Sequence, residues 1–273
     1  MSTFEILCVT TQQKDFSKIK EMNICCNVVF ANQSDYTAYE EMEFNSHKAK
    51  MVSTQTRGVG VNRNLALMYA TADICLLADD DLIYRDDVEK IVLREFELHP
   101  DADIFIFNLE SSDLTRKQQH YLKTKKCGYF TRMPWGGCRI AFRLNAVKKA
   151  NLWFSSLFGG GCVFPEGEDS MWLLTAKRAG LTFYVSKETI ANVSFEQSSW
   201  FTGYDKKFFY GKGAYSYAVH RKTFKFWKWY LLIRYKNKGN IPFFERGKWM
   251  EYGKKGYKKM LSYRAFCESV LKE

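Results

Sequence analysis

An α/β fold with a mostly parallel sheet flanked by helices, followed by a helical basic and aromatic extension, is predicted from three observations. Short apolar runs alternate with stretches of helical spacing from Phe4 to Val185. Three consecutive aspartates, Asp79-Asp80-Asp81, close the apolar run Ile74-Cys75-Leu76-Leu77-Ala78, and the carboxyl ends of strands are where ligands sit in open α/β sheets. The charge balance shifts at Trp200. From there on 18 Lys and Arg face 5 Asp and Glu, against 23 and 25 in the preceding residues, within a net charge of +11.

The elements follow in order. Apolar runs at 4–9 and 28–31 read as short buried strands, the second ending in the polar turn Asn32-Gln33-Ser34-Asp35, and 51–54 reads as a third. Arg57-Gly58-Val59-Gly60 leads into a helix over 61–70, with Leu65, Met68 and Tyr69 at helical spacing. Residues 74–78 form the strand before the aspartates. Asp86-Asp87 suit the positive end of the next helix, which stops near His99-Pro100. A further strand covers 104–107, and the repeated alternation favours parallel connections with right-handed crossovers. The polar stretch 111–126 is helix or loop. Residues 135–142, with Gly136-Gly137, read as a strand with a close backbone approach, followed by a helix over 144–150. A glycine-rich loop at 158–167 runs into Glu168-Asp169-Ser170 and a helix stopped by Gly180, and 181–185 resumes strand character. These elements give a domain over 1–200, with halves 1–110 and 111–200, and an extension over 201–273.

Composition narrows the class. Apolar residues make up 46% and aromatics 16% of the chain, which argues against disorder. No apolar stretch approaches the roughly 20 residues that span a bilayer, and the first residues lack a basic segment followed by an apolar one. A cytoplasmic location is the expectation. The eight cysteines, at 8, 25, 26, 75, 127, 138, 162 and 267, show no Cys-x-x-Cys pair and no zinc spacing, so reduced and mostly buried thiols are expected.

Two acidic clusters carry the chemistry. Carboxylates crowded at a strand end repel one another and lose hydration. A divalent cation relieves both costs, because hard oxygen ligands suit Mg²⁺ or Mn²⁺. Capping of the next helix by hydrated acids is the other reading of Asp79–Asp81. Glu168-Asp169 opens a helix straight after the glycine-rich loop, where acids also serve as ordinary N-terminal caps. With both clusters in one chain, a division of labour becomes available: one holds a metal and the other supplies a general base.

The order of parts resembles the family 2 glycosyltransferases over about residues 3–200. The segments that carry the likeness are Gly60-x-x-Arg63-Asn64-x-Ala66, Leu77-Ala78-Asp79-Asp80-Asp81 and Gly167-Glu168-Asp169. The resemblance implies the A-type nucleotide-sugar transferase fold, a Rossmann-like sheet, and inverting transfer to a hydroxyl of a glycan or lipid-linked glycan, of the kind used in bacterial surface polysaccharide synthesis. It implies that Thr10, Asn32 and Gln33 line the base pocket of a donor, with a UDP-sugar favoured. Arg63 and Asn64 would steady the donor's nucleotide or phosphates, Asp79 would approach its ribose with Asp80 also on the donor, and Asp81 would bind the Mn²⁺ or Mg²⁺ that bridges the diphosphate. Asp169 would be the catalytic base, with Glu168 beside it. Two departures stand out. Asn32 occupies a position that is commonly acidic, and the stretch 193–200 has no histidine ligand, leaving Glu196 as the substitute.

The extension interleaves rings and cations, as in Arg221-Lys222-Thr223-Phe224-Lys225-Phe226-Trp227-Lys228-Trp229-Tyr230. In a helix, Arg221, Lys225 and Lys228 share one face and Phe224, Trp227 and Leu231 another. A second helix is expected over 243–271. Two readings are open: a helix lying in a membrane interface at the inner face of the cell membrane, or rings packed on the rest of the protein with hydrated cations. Two further function classes compete. A nucleotidyltransferase would usually carry a glycine-rich basic loop after the first strand, where Thr10-Thr11-Gln12-Gln13-Lys14 has no glycine. A non-enzymatic membrane- or nucleic-acid-binding module would leave both acidic clusters unexplained, and no nucleic-acid partner is expected.

Overall fold

A computed structural model describes residues 2–111, 120–128, 136–193 and 203–270. The chain divides into two compact units. Met1–Arg57, Val61–Phe154 and Trp172–Gln197 make the first; Gly58–Gly60, Ser155–Met171 and Ser198–Glu273 make the second.

The first unit is built on one sheet. Its strands are β1 (Phe4–Thr11), β2 (Asn27–Gln33), β3 (Ala38–Phe44), β4 (His47–Thr54), β5 (Ile74–Asp79), β6 (Leu82–Tyr84), β7 (Ile104–Ser111), β8 (Lys125–Lys126), β9 (Ile140–Arg143) and β10 (Phe183–Val193). They lie in the order β3-β4-β2-β1-β5-β9-β7-β10-β6, with β8 paired to β10. β4, β2, β1 and β5 run parallel, as does the pair β7 and β10. β9 is inserted antiparallel between β5 and β7.

Period-two alternation explains the sheet's two covered faces. Phe4, Ile6 and Cys8 of β1 join one apolar cluster with Val88, Val92 and Phe96 of helix α3 (Val88–Leu98). Leu7 points to the opposite cluster, with Ala66, Leu67 and Ala70 from helix α2 (Val59–Tyr69) and its end. The same cluster takes Val147 of α4 (Leu144–Lys149) and Trp172 of α5 (Glu168–Arg178). A short helix, α1 (Lys18–Glu21), follows β1.

Three expectations are corrected here. The hairpin β3–β4 is absent from the apolar reading because Tyr39-Glu40-Glu41-Met42-Glu43 is charged and exposed. Cross-strand pairing holds it instead: Glu41 faces Lys50 and Glu43 faces Lys48. Asn45 and Ser46 both sit at positive φ (46° and 66°), the geometry of a two-residue hairpin turn. Of the strand expected over 135–142 only 140–142 is strand, within β9; Gly137–Arg139 form a 3₁₀ turn before it, and residue 135 lies outside the described residues. The last strand reaches from 183 to 193 rather than ending at 185, since a register shift between Val185 and Thr189 lets β10 bulge and continue along β7.

The second unit holds helices α6 (Lys206–Val219), α7 (Phe224–Arg234), α8 (Phe243–Lys259) and α9 (Tyr263–Val270). Asp205 caps α6 by accepting the Phe208 N–H at 2.8 Å. The crossing of α6 and α8 depends on the absence of side chains. A Cβ on Gly213 would overlap the Met250 carbonyl, and one on Gly253 the Tyr210 carbonyl. The core around this crossing is ring-rich: Phe158, Phe164, Phe209, Tyr210, Trp249 and Phe266 are buried together. Arg246, 4% exposed, ties down the end of α7 by donating to the carbonyls of Tyr235, Lys236, Gly239 and Ile241. Those are the groups a helix C-terminus and the turn after it leave without partners.

The single helix expected over 243–271 is two. Met260 adopts φ 54°, and Leu261 returns its N–H to the Gly256 carbonyl at 2.9 Å, which closes α8. The face assignment in α7 also changes. The helix starts at Phe224, so Arg221 precedes it. Lys228 does not join an outer cationic face, because it pairs with Glu251 of α8 at 2.5 Å.

Candidate active site

In the first unit the carboxyl ends of β1, β2 and β5 lie side by side, because these strands are parallel neighbours. That registry places Val9 opposite Asp79 and Thr10 opposite Asn32. Thr10 is buried, and its hydroxyl donates to Asp80 Oδ2. Arg63 comes from α2, is 3% exposed, and donates to Asp79 Oδ1 at 3.0 Å. Its guanidinium stands over the Phe154 ring at 5.5 Å. Gly137 makes that path possible, since any Cβ there would overlap the Arg63 guanidinium. Two pairs thus form on adjacent aspartates: Thr10 with Asp80, 70 residues apart in sequence, and Arg63 with Asp79, 16 apart.

Two asparagines act on the backbone. Asn32 is fully buried. Its amide donates to the Gln13 carbonyl at 2.8 Å and to Ser53 Oγ at 2.9 Å, and its oxygen accepts the Gln13 N–H at 3.0 Å. It braces the loop after β1. Gln33 contributes its carbonyl to the Gln12 N–H at 2.8 Å in the same corner. Asn64 exchanges both amide groups with the backbone of Phe154, at 2.8 and 2.9 Å, and so positions the ring beneath Arg63.

Asp81 is solvent-exposed on one side, yet its ionisation is disfavoured. Loss of water around its oxygens, and then the charges of Asp79 and Asp80, push its pKa up to about 6. Lys18 supplies positive charge nearby, donating to the Asp80 carbonyl at 3.4 Å while pairing with Glu21 at 2.8 Å. Beneath the cluster the Cys138 thiol is pushed up to about 12, by burial first and by Asp79 next.

Among the described residues, no three His, Cys, Asp or Glu side chains converge as a preformed metal cage. Glu196 lies outside the described residues. The donor set still suits a hard cation, because Mg²⁺ sites commonly use one or two carboxylates and complete themselves with substrate phosphates. A carboxyl pushed up to about 6 by loss of water and then by neighbouring carboxylates is the kind a cation would stabilise.

Glu168 and Asp169 belong to the second unit and form the first turn of α5, half-buried in both cases. Their loop is fixed from within that unit. Gly159, at φ 110°, passes so close to Glu168 that a Cβ would stand 2.9 Å from its carboxyl, and the Val59 N–H donates to the Gly160 carbonyl at 2.8 Å.

Sequence reasoning missed four residues that shape these groups. Asn62, fully buried, donates to the carbonyls of Thr10 and Ala31 and ties α2 to two strand ends. Tyr36 donates from its hydroxyl to the Gln13 carbonyl at 2.9 Å, leaving a part-exposed ring beside that loop. In the second unit Glu166 pairs with Lys212 at 2.9 Å. Asn62 had a usable signal, as a polar residue on the apolar side of a helix; the others had none.

Residues 24–148 match the family described as "Glycosyl transferase family 2". Solved structures of S. aureus TarS share the fold. TarS 1-349 in complex with UDP-GlcNAc is 12% identical with a TM-score of 0.62, the alignment covering 96% of this chain and 93% of that one. The complex with UDP is 13% identical, with the same coverage and a TM-score of 0.60. The longer TarS structure gives 0.55 at 13% identity, covering 98% of this chain and 46% of that one. No curated protein matches the sequence. The sheet, the acidic strand end and the matched segment agree: residues 24–148 match glycosyl transferase family 2, and the chain has the A-type nucleotide-sugar transferase fold.

Proposed function

We propose that the chain moves a sugar from a nucleoside-diphosphate sugar to a hydroxyl of a glycan or lipid-linked glycan, inverting the anomeric carbon with the help of Mn²⁺ or Mg²⁺. The observation that carries this reading is the contact set Thr10, Arg63, Asp79 and Asp80 at adjacent parallel strand ends, with Asp81 beside it. The TarS complexes with UDP-GlcNAc and UDP support a UDP-sugar as donor.

The braced loop after β1, with Asn32, Gln33 and the Tyr36 ring, is the surface assigned to the base. Asp79 and Asp80, oriented by Arg63 and Thr10, take the ribose and diphosphate side, and Asn64 holds the platform under Arg63. Asp81 would hold the cation, with Glu196 as a further ligand; the ion would supply Lewis-acid stabilisation of the departing diphosphate. Arg63 adds a charge-assisted donor near the phosphates. Asp169 takes the proton of the acceptor hydroxyl as attack proceeds, and Glu168 orients it. General-base help of this kind is worth ~10²–10⁴-fold. Inversion follows from one displacement, with no covalent sugar intermediate.

The test is a donor screen of UDP-, GDP- and dTDP-sugars with and without Mn²⁺, run on wild type, Asp81→Ala and Asp169→Asn. Asp81→Ala should weaken cation-dependent donor binding. Asp169→Asn should keep donor binding and lose transfer by ~10²–10⁴-fold. Wild-type transfer rates in both variants on a working acceptor would reject the assignment.

A further inference from the structure

Helix α7 has three faces, and only one of them is unexplained. Phe224 and Leu232 are buried in the helical core, and Lys228 reaches Glu251, so this side packs on α8. Trp227 is occupied by stacking on His220, with ring centroids 4.2 Å apart. The opposite side presents Phe226, Trp229, Tyr230 and Ile233, at the i, i+3, i+4, i+7 spacing of a single stripe, with 68, 52, 43 and 61% of their surfaces exposed. Phe243 stacks near Trp229 at 6.1 Å and leads to Phe244, 84% exposed, which extends the patch onto the start of α8.

Charge identifies what this stripe meets. At 100° per residue, exposed Lys225 and Arg234 lie on its two flanks, roughly a quarter turn away on each side. From Lys206 to Phe244 the sequence holds ten Lys or Arg and no Asp or Glu. Exposed Lys222, Lys236 and Lys238 continue the positive rim at either end of the helix. An apolar stripe with Trp and Tyr, whose charged neighbours on α7 itself are all cations, is the pattern of a helix lying in the plane of an anionic membrane surface; Glu245, next to Phe244, pairs with Lys206. No described helix is long and apolar enough to cross a membrane.

We propose that the outer edge of α7, with Phe244, seats the protein on an anionic lipid bilayer, rings and Ile233 entering the headgroup layer and Lys225 and Arg234 meeting lipid phosphates. The residues differ from those a sequence-based face assignment selects: Phe224 and Leu231 turn inward, and Phe226, Trp229, Tyr230 and Ile233 do the contacting. The inference does not depend on the sugar-transfer reading, because vesicle binding is measured without donor or acceptor.

The experiment is co-sedimentation of the full chain with phosphatidylcholine vesicles and with phosphatidylcholine–phosphatidylglycerol vesicles. Wild type should pellet with the anionic vesicles, release in high salt, and stay in solution with the neutral ones. Phe226→Ser with Ile233→Ser should lower the partition about tenfold or more, and Lys225→Glu with Arg234→Glu should do the same. Circular dichroism and donor hydrolysis in solution check that each pair still folds. Wild type that ignores anionic vesicles overturns the proposal, as do folded variants that bind like wild type. So does a light-scattering result in which the chain self-associates through this stripe and Phe226→Ser with Ile233→Ser yields monomers, since the occupant would then be a second copy.

Discussion

The two units solve opposite problems with opposite chemistry. The sheet unit buries polar side chains and ties them to the backbone: Asn32, Asn62 and Asn64 each clamp two backbone groups, and Arg63 is paired although 3% exposed. The helical unit is held by rings and by glycines that let helices touch, as at Gly213 and Gly253. A directional polar network fixes the positions of individual atoms. Ring packing fixes a surface rather than a point, which suits a face that meets something broad.

The sharpest way to break this comparison is at the helix crossing. Gly253→Leu puts a side chain where the Tyr210 carbonyl sits, and overpacking of this kind costs at least ~1–3 kcal/mol. Denaturant unfolding should show a clear drop in midpoint; an unchanged midpoint would mean that glycine contact is not what holds α6 against α8. Next comes Asn32→Ala, which leaves the Gln13 N–H and carbonyl and the Ser53 hydroxyl without their partner. The loss should be ~1–3 kcal/mol with weaker donor binding. If donor titration were unaffected while stability fell, the loop after β1 would be scaffold only.

The smallest effect contrasts two aspartates of the sheet unit. Thr3 donates to Asp73 from its side chain and backbone, which holds that carboxyl below its ordinary value. Its stabilising contribution is present above the unfolded pKa of about 4 and is lost as pH falls below it. Asp81 is shifted the other way, to about 6. Its contribution is favourable at acid pH and is lost as pH rises through 6, so the ionised group is a net cost at neutral pH. In chelator at pH 7, Asp73→Asn should lower the melting temperature slightly. Asp81→Asn should raise it, through a gain in stability of order 1 kcal/mol after allowance for solvent. Both differences should shrink toward pH 4. Asp81→Asn melting below wild type at pH 7 would show that the cluster is not electrostatically strained.

Much of the sheet was readable because buried strands write themselves as apolar runs: 4–9, 28–31, 74–78 and 104–107 all lie within observed strands. The hairpin β3–β4 was hidden because an exposed, charged edge strand carries no apolar period. At the site, the aspartates announced themselves by crowding at a strand end. The bracing roles of Asn32 and Asn64 were not readable, since an asparagine's partners are backbone groups that only the fold brings near; Asn62 alone left a trace, as a polar residue on the apolar side of its helix.

The sequence by itself determined the sheet's central strands, the acidic strand end with its family likeness, and the basic, ring-rich character of the C-terminal region, because these are matters of local composition and period. Tertiary structure decided which cations pair inward and which stay outside, where Arg63 travels past Gly137, and which stripe of α7 is left uncovered. Those outcomes depend on contacts between residues far apart in the chain, and one-dimensional spacing holds no record of such contacts.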